Sequence, residues 1–214
     1  MNIRVMLADD HPLIILGVRH TLSTELGISV VAEAAEPKGL MERLQTVGCD
    51  VLVTDFSMPS RHAPDGLVML NAIRTKYPQV RVVVLTMLEN PGILLSMCNA
   101  GVLSILNKRD DLSELPTAIL AAYQGRKHLG TSVQREIAKC DVSQASQKGV
   151  IALSPREIEV VRLYVGGMTT TEIARYLNRS INTVSTQKHS AMRKLGLNND
   201  SDLFGYALEH GLKA

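Results

Sequence analysis

The sequence predicts an α/β domain built on a five-stranded parallel sheet, followed by a smaller domain made only of helices. Short apolar runs alternate with helical segments through the first 125 residues. Parallel strands need crossover connections, and a helix between successive strands supplies each one. Beyond a polar stretch near residue 145, the helical segments follow one another without a further strand-like run. For the sheet we expect the strand order 2-1-3-4-5, one of the common orders of open α/β folds.

Five apolar runs supply the predicted strands, and the fourth is the richest of all in β-branched residues. The strands are Ile3–Leu7, Ser29–Ala34, Val51–Thr54, Val80–Thr86 and Leu103–Leu106. The helices between and after them run from Pro12 to about Glu25, Pro37 to Val47, Asp65 to Tyr77, near Pro91 to Asn99, and Leu112 to Gln124. A further helix is predicted from Thr131 to Lys139.

Polar composition separates the two predicted domains. The stretch DVSQASQKG, residues 141–149, lacks large apolar side chains and is typical of a linker. We therefore predict a first domain over residues 1–125, a linker with a short helix over 126–149, and a helical domain over 150–214.

Cap signals place four helices in the second domain. Ser154 precedes Pro155, which favours a helix start, and Thr169 with Glu172 three residues later forms a capping box. Ser180 is placed to cap a long helix that ends at Gly196. The last helix is predicted from about Asp200 to Glu209.

Composition is typical of a soluble globular protein, with 45% hydrophobic and 21% charged residues. The three cysteines, Cys49, Cys98 and Cys140, have no CxxC spacing and are expected to be reduced thiols. Asp9 and Asp10 occupy the region where a signal peptide needs apolar residues. We therefore expect a cytoplasmic protein that does not bind a membrane.

Polar residues follow the predicted strands at the ends where ligands bind in an open α/β sheet. Asp9 and Asp10 follow the first strand, Asp55 the third, Thr86 ends the fourth, and Lys108 follows the fifth. Three neighbouring carboxylates repel one another unless a cation is present, and oxygen ligands suit Mg²⁺. The amine and the hydroxyl are placed to bind an anion. This set predicts phosphoryl transfer to Asp55 as nucleophile, although a single aspartate after a strand more often begins a loop.

Four short motifs in this domain resemble the receiver domain of bacterial two-component response regulators, a flavodoxin-like fold. They are ADDHP at Ala8–Pro12, DFSMP at Asp55–Pro59, LTM at Leu85–Met87 and LNK at Leu106–Lys108. The resemblance implies that Asp55 accepts phosphate from a phosphohistidine of a histidine kinase or histidine phosphotransfer protein. It also implies that Mg²⁺ is held by Asp9, Asp10, Asp55 and the backbone carbonyl of Ser57. Thr86 and Lys108 would bind the phosphoryl oxygens.

The domain departs from the receiver pattern at three places. Ile105 stands where many receivers carry an aromatic ring that swings inward on activation, so such a switch is not expected. Arg109 replaces the proline that often follows the lysine. Residues 60–64, SRHAP, lengthen the loop beside the acceptor aspartate. This loop could control access to the acceptor site or contact a partner, or it could be a surface insertion without a function.

The second domain contains a predicted helix-turn-helix between Thr169 and Leu195. Along its second helix, Val184, Met192 and Leu195 are expected to face the core, with Ile181 as a further candidate. The opposite face carries Ser185, Thr186, Lys188, His189 and Arg193, which suits the major groove of double-stranded DNA. The short hydroxyls near the start of the helix could reach base edges. Predicted phosphate contacts are Arg179, Lys188 and Lys194. Residues 150–214 carry only 8 basic against 6 acidic residues, an excess too small to predict DNA binding by itself. The alternative to DNA binding is that this basic face of the helix is exposed to solvent and binds a protein.

Four further motifs resemble the DNA-binding domain of the LuxR/NarL/FixJ family: LSPRE at Leu153–Glu157, TEIA at Thr171–Ala174, NTV at Asn182–Val184 and KLG at Lys194–Gly196. Arg179 and Gln187 depart from that pattern. LNRSI, STQK and the long loop after Met58 resemble the subgroup that serves the Rcs phosphorelay of capsule and envelope stress.

Together these features predict a phosphorylation-controlled transcription regulator, not an enzyme, that acts as a homodimer or with an auxiliary regulator. One alternative is a pseudo-receiver or heterodimer partner whose DNA binding ignores phosphate. A phosphatase of the haloacid-dehalogenase kind is disfavoured because Ser57 stands where that class needs a second aspartate.

Overall fold

The computed structural model describes residues 2–58, 60, 63–144 and 153–209. By the density of contacts the chain divides into two compact units. The first comprises Met1–Met87 and Cys98–Gln134, and the second comprises Leu88–Met97 and Arg135–Ala214. No helix among the described residues is long and apolar enough to cross a membrane.

A parallel sheet with strand order 2-1-3-4-5-6 forms the centre of the first unit. Its strands are β1 Ile3–Ala8, β2 Ile28–Ala34, β3 Val51–Thr54, β4 Arg81–Thr86, β5 Ser104–Asn107 and β6 His128–Leu129. The predicted fold class and the order of the first five strands are confirmed. The sixth strand was not predicted, because two residues carry no alternation pattern and pair only through their position beside β5.

Helices connect the strands as the sequence predicted, with ends that differ by a few residues. They are α1 Pro12–Ser23, α2 Pro37–Thr46, α3 Gly66–Lys76, α4 Pro91–Asn99, α5 Leu115–Tyr123 and α6 Thr131–Gln144. Residues 112–114 form a 3₁₀ turn ahead of α5 rather than its first turn. The sixth helix, which lies within the predicted linker, continues past its predicted end at Lys139 to Gln144, and residues 145–149 of the linker lie outside the described residues.

The two faces of the sheet carry separate apolar cores, because successive side chains of a strand point to opposite faces. Val5 and Leu7 of β1 belong to the cluster that α1 and α5 cover. Met6 of β1 and Leu52 of β3 belong to the cluster that includes Leu40 of α2 and residues of α3. Burying one such side chain contributes about 1.5–3 kcal/mol. This double-sided burial fixes the strand register, and with it the positions of the residues at the strand ends.

The second unit contains the predicted helices of the C-terminal domain: α7 Pro155–Val165, α8 Thr170–Tyr176, α9 Ile181–Leu195 and α10 Asp200–Glu209. A compact cluster of Val160, Ile173, Ala174 and Val184 forms a core. Between α8 and α9, Asn178 adopts a positive φ of 52°, a conformation that asparagine tolerates better than most residues. This residue lets the chain turn sharply and completes a helix-turn-helix.

All three predicted side-chain caps of this domain are confirmed. Ser154 and Thr169 each form a complete capping box, with Glu157 and Glu172 respectively. The Ser180 hydroxyl accepts a hydrogen bond from the amide of Thr183, and α9 ends at Gly196 in the left-handed conformation.

Candidate functional site

The carboxyl ends of β1 and β3 bring two of the predicted aspartates together. Ala8 pairs with Thr54 in the parallel register, so Asp9 and Asp55, the next residues, leave the sheet side by side. The amide of Asp55 donates to the carbonyl of Ala8 at 2.7 Å. Both side chains are nearly fully buried, which is unusual for carboxylates and indicates that charged partners surround them.

Lys108 supplies that partner from the end of β5. Its Nζ lies 2.7 Å from Asp9 Oδ2 and 2.7 Å from Asp55 Oδ2, and only 4% of its side chain is exposed. The lysine amide donates to the carbonyl of Thr86 at 2.9 Å, and Thr86 itself is fully buried at the end of β4. The predicted acceptor, one predicted metal ligand and the predicted anion-binding amine thus share one buried ion-pair cluster.

Opposing effects act on the pKa values of the charged groups in this cluster. Burial raises the pKa of Asp55 to about 6, since the ion pair with Lys108 lowers it only in part and Asp9 adds repulsion. Burial alone would lower the pKa of Lys108, but the carboxylates of Asp55 and Asp9 hold it above its ordinary value. A single lysine therefore does not fully neutralise the aspartates. A further cation at this rim would favour the ionised, nucleophilic form of Asp55.

The residues at the rim fit a divalent metal ion. Asp9, Asp10, His11 and Asp55 each offer one ligand atom, and these atoms lie within 4.8 Å of one another. The Oδ1 atom of Asp10 is buried and makes no hydrogen bond. Carboxylate oxygens are the ligands that Mg²⁺ prefers, and a buried oxygen without a hydrogen bond is one that a cation would satisfy.

The loop after Asp55 is held in place by the carboxylates of Asp55 and Asp65, and no role was predicted for Asp65. The Ser57 amide donates to Asp55 Oδ1 at 3.1 Å, and the Met58 amide donates to Asp65 Oδ2 at 2.9 Å. The Asp65 carboxylate is buried, and Gly66 closes the loop by donating to the carbonyl of Phe56 at 3.0 Å. The Asp-Gly pair that opens α3 was the sequence signal for this anchor. Within the predicted insertion, Arg61 and His62 lie outside the described residues, as does Pro59 before it.

Two of the departures from the receiver pattern, Ile105 and Arg109, lie beside Lys108. Ile105 is fully buried in β5. Asn107 Oδ1 accepts a hydrogen bond from the amide of Arg109 at 2.9 Å, so Asn107 fixes the turn that carries the lysine.

The second candidate site is the outward face of α9 and the turn before it. Arg179, Thr186 and His189 are exposed, and Ser185 is half-buried. Val184 and Met192 are buried as predicted, Leu195 is half-buried, and Ile181 is 50% exposed, so it does not join the core. These residues extend from the turn to the middle of α9, the helix that enters a DNA groove in helix-turn-helix proteins.

Two lysines predicted to contact phosphate are instead engaged within the helical domain. Lys188 is buried, its Nζ lies 2.8 Å from Asp200 Oδ1, and it stands 4.2 Å from the centre of the Tyr164 ring. Tyr164 donates to the other oxygen of Asp200 at 2.7 Å, which closes a three-residue network. Hydrogen bonds to Asp200 and Tyr164 outweigh the effect of burial and raise the pKa of Lys188. Because its charge is neutralised inside the domain, Lys188 is poorly placed for a phosphate contact.

Lys194 is held in a similar way. Its Nζ lies 2.7 Å from Glu157 Oε2, the carboxylate that also accepts from the Ser154 amide in the capping box of α7. Burial opposes ionisation of Glu157, yet the hydrogen bonds from Lys194 and Ser154 lower its pKa to about 2. The lysine therefore joins the end of α9 to the start of α7. Sequence spacing predicts which face of α9 these lysines occupy, but not that acidic partners from α7 and α10 reach them.

Two protein families match most of the chain between them. Residues 5–120 match the response regulator receiver domain, and residues 152–207 match the bacterial regulatory proteins of the luxR family. The chain is 38% identical over 205 residues to the transcriptional regulatory protein RcsB of Escherichia coli, covering 96% of this chain and 94% of RcsB. It is 29% identical over 212 residues to the response regulator UvrY of E. coli, covering 98% and 95%.

Solved structures of RcsB are also similar to this chain. RcsB from Salmonella enterica serovar Typhimurium, bound to the rprA promoter in the presence of the phosphomimetic BeF₃⁻, superimposes with a TM-score of 0.84 at 38% identity. The match covers 96% of this chain and 98% of that one. A structure of two RcsB dimers bound to two parallel DNAs matches with a TM-score of 0.66 over the same shares, at 38% identity.

Proposed function

We propose that Asp55 is the phosphoacceptor of this chain, which belongs to the response regulators that join a receiver domain to a LuxR-family DNA-binding domain. Such a protein is a phosphorylation-regulated, DNA-binding transcription factor and not an enzyme. The observation that carries the proposal is the buried contact of Lys108 Nζ with both Asp9 and Asp55, at 2.7 Å each. This contact supports the proposal because it brings a carboxylate oxygen of Asp55 together with an amine that could neutralise a phosphoryl group.

In the proposed reaction an Asp55 oxygen attacks the phosphorus of a phosphohistidine on a histidine kinase or histidine phosphotransfer protein. The P–N bond breaks, its electron pair stays with the imidazole, and Asp55 becomes an acyl phosphate. Lys108 then pairs with the new phosphoryl oxygens, and Thr86 donates its hydroxyl to them. The Ser57 amide and the buried Asp65 keep the loop beside Asp55 in position.

A Mg²⁺ ion at the rim would be held by Asp9, Asp10, Asp55 and the backbone carbonyl of Ser57. When bound, it supplies positive charge that neutralises the transferring phosphoryl group and the crowded carboxylates. The buried Asp10 oxygen that lacks a hydrogen bond supports this assignment.

For the C-terminal domain we propose binding to double-stranded DNA as a homodimer, with heterodimers as a further possibility. Arg179, Thr186 and His189 are exposed, and Ser185 is half-buried beside them. Contacts of Arg179 with phosphate would provide affinity, and the short polar side chains would contact bases. One four-helix domain makes few base contacts, so two copies on two half-sites are needed for specificity. Among relatives, RcsB binds promoter DNA and forms dimers on DNA.

We propose the functional division into residues 1–125 as receiver, 126–149 as linker and 150–214 as DNA-binding domain. The two family matches, over residues 5–120 and 152–207, support these limits. The described part of the linker contains β6 and α6.

The proposal is tested by transfer of labelled phosphate from a phosphorylated histidine phosphotransfer protein to the full chain. Wild type and an exposed-surface control, Glu42→Gln, should both gain one phosphoryl group in intact-mass spectra when Mg²⁺ is present. Asp55→Ala should gain none, and labelling of that variant would disprove the assignment. Operator affinity is then measured with and without BeF₃⁻. Equal affinities would favour the alternative of a pseudo-receiver that binds DNA independently of phosphate.

A further inference from the structure

We infer that Asn182 selects an adenine in each operator half-site, with its side-chain amide hydrogen-bonded to the edge of that base in the major groove. The inference rests on the proposed function, because it requires that α9 enters a groove of double-stranded DNA. It adds to the proposed contacts a further residue and the base that this residue selects.

The first support is the position of Asn182 on the exposed side of α9. The buried side of this helix carries Val184 and Met192, which pack inside the domain. The opposite side carries a stripe of four exposed polar side chains, Asn182, Thr186, His189 and Arg193. Intervals of four, three and four residues keep these side chains on one line along a helix. Since α9 contains no acidic residue, nothing on this stripe repels the DNA backbone.

The second support is the place of Asn182 in the first turn of the helix. Ser180 caps α9, and Asn182 is the second residue after that cap. In helix-turn-helix proteins the N-terminal residues of the second helix contact base edges, while the first helix crosses the backbone. From Asn182 to His189 the helix rises about 10 Å, about three times the 3.4 Å between successive base pairs. The amide therefore meets a different base pair from the one that His189 can reach.

The chemistry of the side chain determines the base. The planar amide of asparagine carries a donor and an acceptor side by side. In the major groove, adenine presents its N6 donor beside its N7 acceptor, and asparagine matches both at once. A hydroxyl such as that of Thr186 can bond to several bases and specifies none of them strictly. Within the stripe, Asn182 is thus the side chain suited to selecting adenine.

The amide of Asn182 has no partner inside the domain. Within the part of the chain that the structure describes, its side chain makes no hydrogen bond or ion pair. The neighbouring residue differs, because the hydroxyls of Thr183 and Ser180 are hydrogen-bonded to each other at 2.8 Å. Asparagine is also a poorer helix former than alanine, so local stability does not account for its presence. The amide is free to bond a base.

The test selects binding sites from randomised DNA duplexes with the full chain, Mg²⁺ and BeF₃⁻. Wild type should select adenine at one position of each half-site. Asn182→Ala should lose roughly 5- to 150-fold of the preference for adenine at that position and keep the preferences at all others. The matched control is Asn198→Ala, because Asn198 is exposed in the same domain but follows the end of α9. This control should select the wild-type site.

A modified base then tests the hydrogen bond itself. In the selected site, 7-deazaadenine replaces the N7 acceptor with a C–H group. It should weaken binding by wild type and leave binding by Asn182→Ala unchanged. Because Asn182 is uncharged, its loss should not alter the slope of log affinity against log salt concentration. Thermal unfolding of Asn182→Ala should show unchanged or higher stability, which separates loss of the contact from loss of folding.

Three results would overturn the inference while leaving the proposed DNA binding in place. Asn182→Ala could select the wild-type site, it could change a position at which wild type selects a base other than adenine, or it could bind all sequences equally more weakly. In each case wild type still selects an operator. If wild type selects no sequence at all, the proposed function fails together with the inference.

Discussion

The two halves of this molecule begin their helices in different ways. In the receiver, α1, α2, α3 and α5 have no side-chain cap at their N-termini, and α1 and α2 start with proline. The exception is α4, where the side chain of Asn90 accepts from the amide of Ile93 at 3.1 Å. In the C-terminal domain, α7, α8 and α9 are each capped by a serine or threonine side chain. The receiver helices pack on a large sheet with a core on each face, whereas the core cluster of the smaller domain has four buried members. Where burial is limited, local hydrogen bonds contribute a larger share of helix stability.

The same contrast appears in two buried lysines. Lys108 bridges Asp9 and Asp55 at the rim where ligands bind, while Lys188 joins Asp200 and Tyr164 inside the helical domain. Both follow the rule that a buried charge needs a partner. Among the residues that the structure describes, only the first has a set of candidate metal ligands around it. A buried charged group therefore indicates a functional site only when the residues around it can also bind a metal ion or another ligand.

The largest effect is expected from Lys108→Met in the absence of metal. Removing the amine leaves two carboxylates buried and unpaired, which costs about 3–5 kcal/mol in the free energy of unfolding. The loss should be greatest above pH 6, because burial already raises the pKa of Asp55 to about 6 and the carboxyl stays protonated at lower pH. Denaturant unfolding at pH 8 and pH 5 measures this difference.

The matched control for that variant is Lys38→Met, an exposed lysine in α2. It should change the free energy of unfolding by less than about 0.5 kcal/mol. Millimolar Mg²⁺ should restore part of the stability of Lys108→Met, since the cation replaces the lost positive charge. Equal stability of the two variants without metal would show that Lys108 does not hold the carboxylates together.

A smaller loss, about 2 kcal/mol, is expected from Lys188→Met, because its partner Asp200 is itself 45% exposed. This variant should be less stable but keep the wild-type dependence of DNA affinity on salt. Hydrogen exchange of the full chain locates the destabilisation, and operator titrations at several salt concentrations give the slope.

Arg179→Met supplies the opposite case. Arg179 is exposed in the turn before α9, so its loss should leave the free energy of unfolding unchanged. The slope of log operator affinity against log salt concentration should fall by about one per subunit, because one phosphate contact is lost. A normal salt slope for Arg179→Met, with a reduced slope for Lys188→Met, would reverse the roles assigned to these two residues.

Acid should weaken the helical domain by about 1–2 kcal/mol through Glu157. Its folded-state pKa of about 2 lies below the ordinary value of 4.5, so the stabilising effect is complete above pH 4.5 and disappears as the pH falls towards 2. Glu157→Gln keeps the capping-box acceptor but removes the charge that pairs with Lys194. The difference in stability between wild type and Glu157→Gln should therefore shrink across that interval. A constant difference would exclude the ion pair as its source.

The smallest effect, about 1 kcal/mol, is expected from Thr169→Ala, which removes the side-chain cap of α8. Thr171→Ala, an exposed substitution inside the same helix, is the control and should be neutral or slightly stabilising. Thermal unfolding of both variants measures the difference. If they behave alike, the cap of α8 does not provide the stability that the comparison of the two domains assigns to it.

Local signals predicted most of the fold correctly. Apolar runs gave the first five strands within two residues, and cap chemistry gave the starts of α7, α8 and α9, because both depend on neighbours along the chain. The strand β6 was missed, since its pairing with β5 is set by position in the sheet rather than by its own two residues. Ile181 was a candidate for the core and is exposed at the start of α9.

What the sequence alone determined is which side chains leave the strand ends and which helix faces carry charge, since these follow from periodicities of two and 3.6 residues. Only the tertiary structure decided which charges meet. The contact of Lys108 with Asp9 and the contact of Lys188 with Asp200 and Tyr164 each join different elements. The proximity of His11 Nδ1 to Asp10 Oδ1 depends on how the turn before α1 packs. Electrostatic partners are chosen by distance in space, and spacing along the chain does not encode that distance.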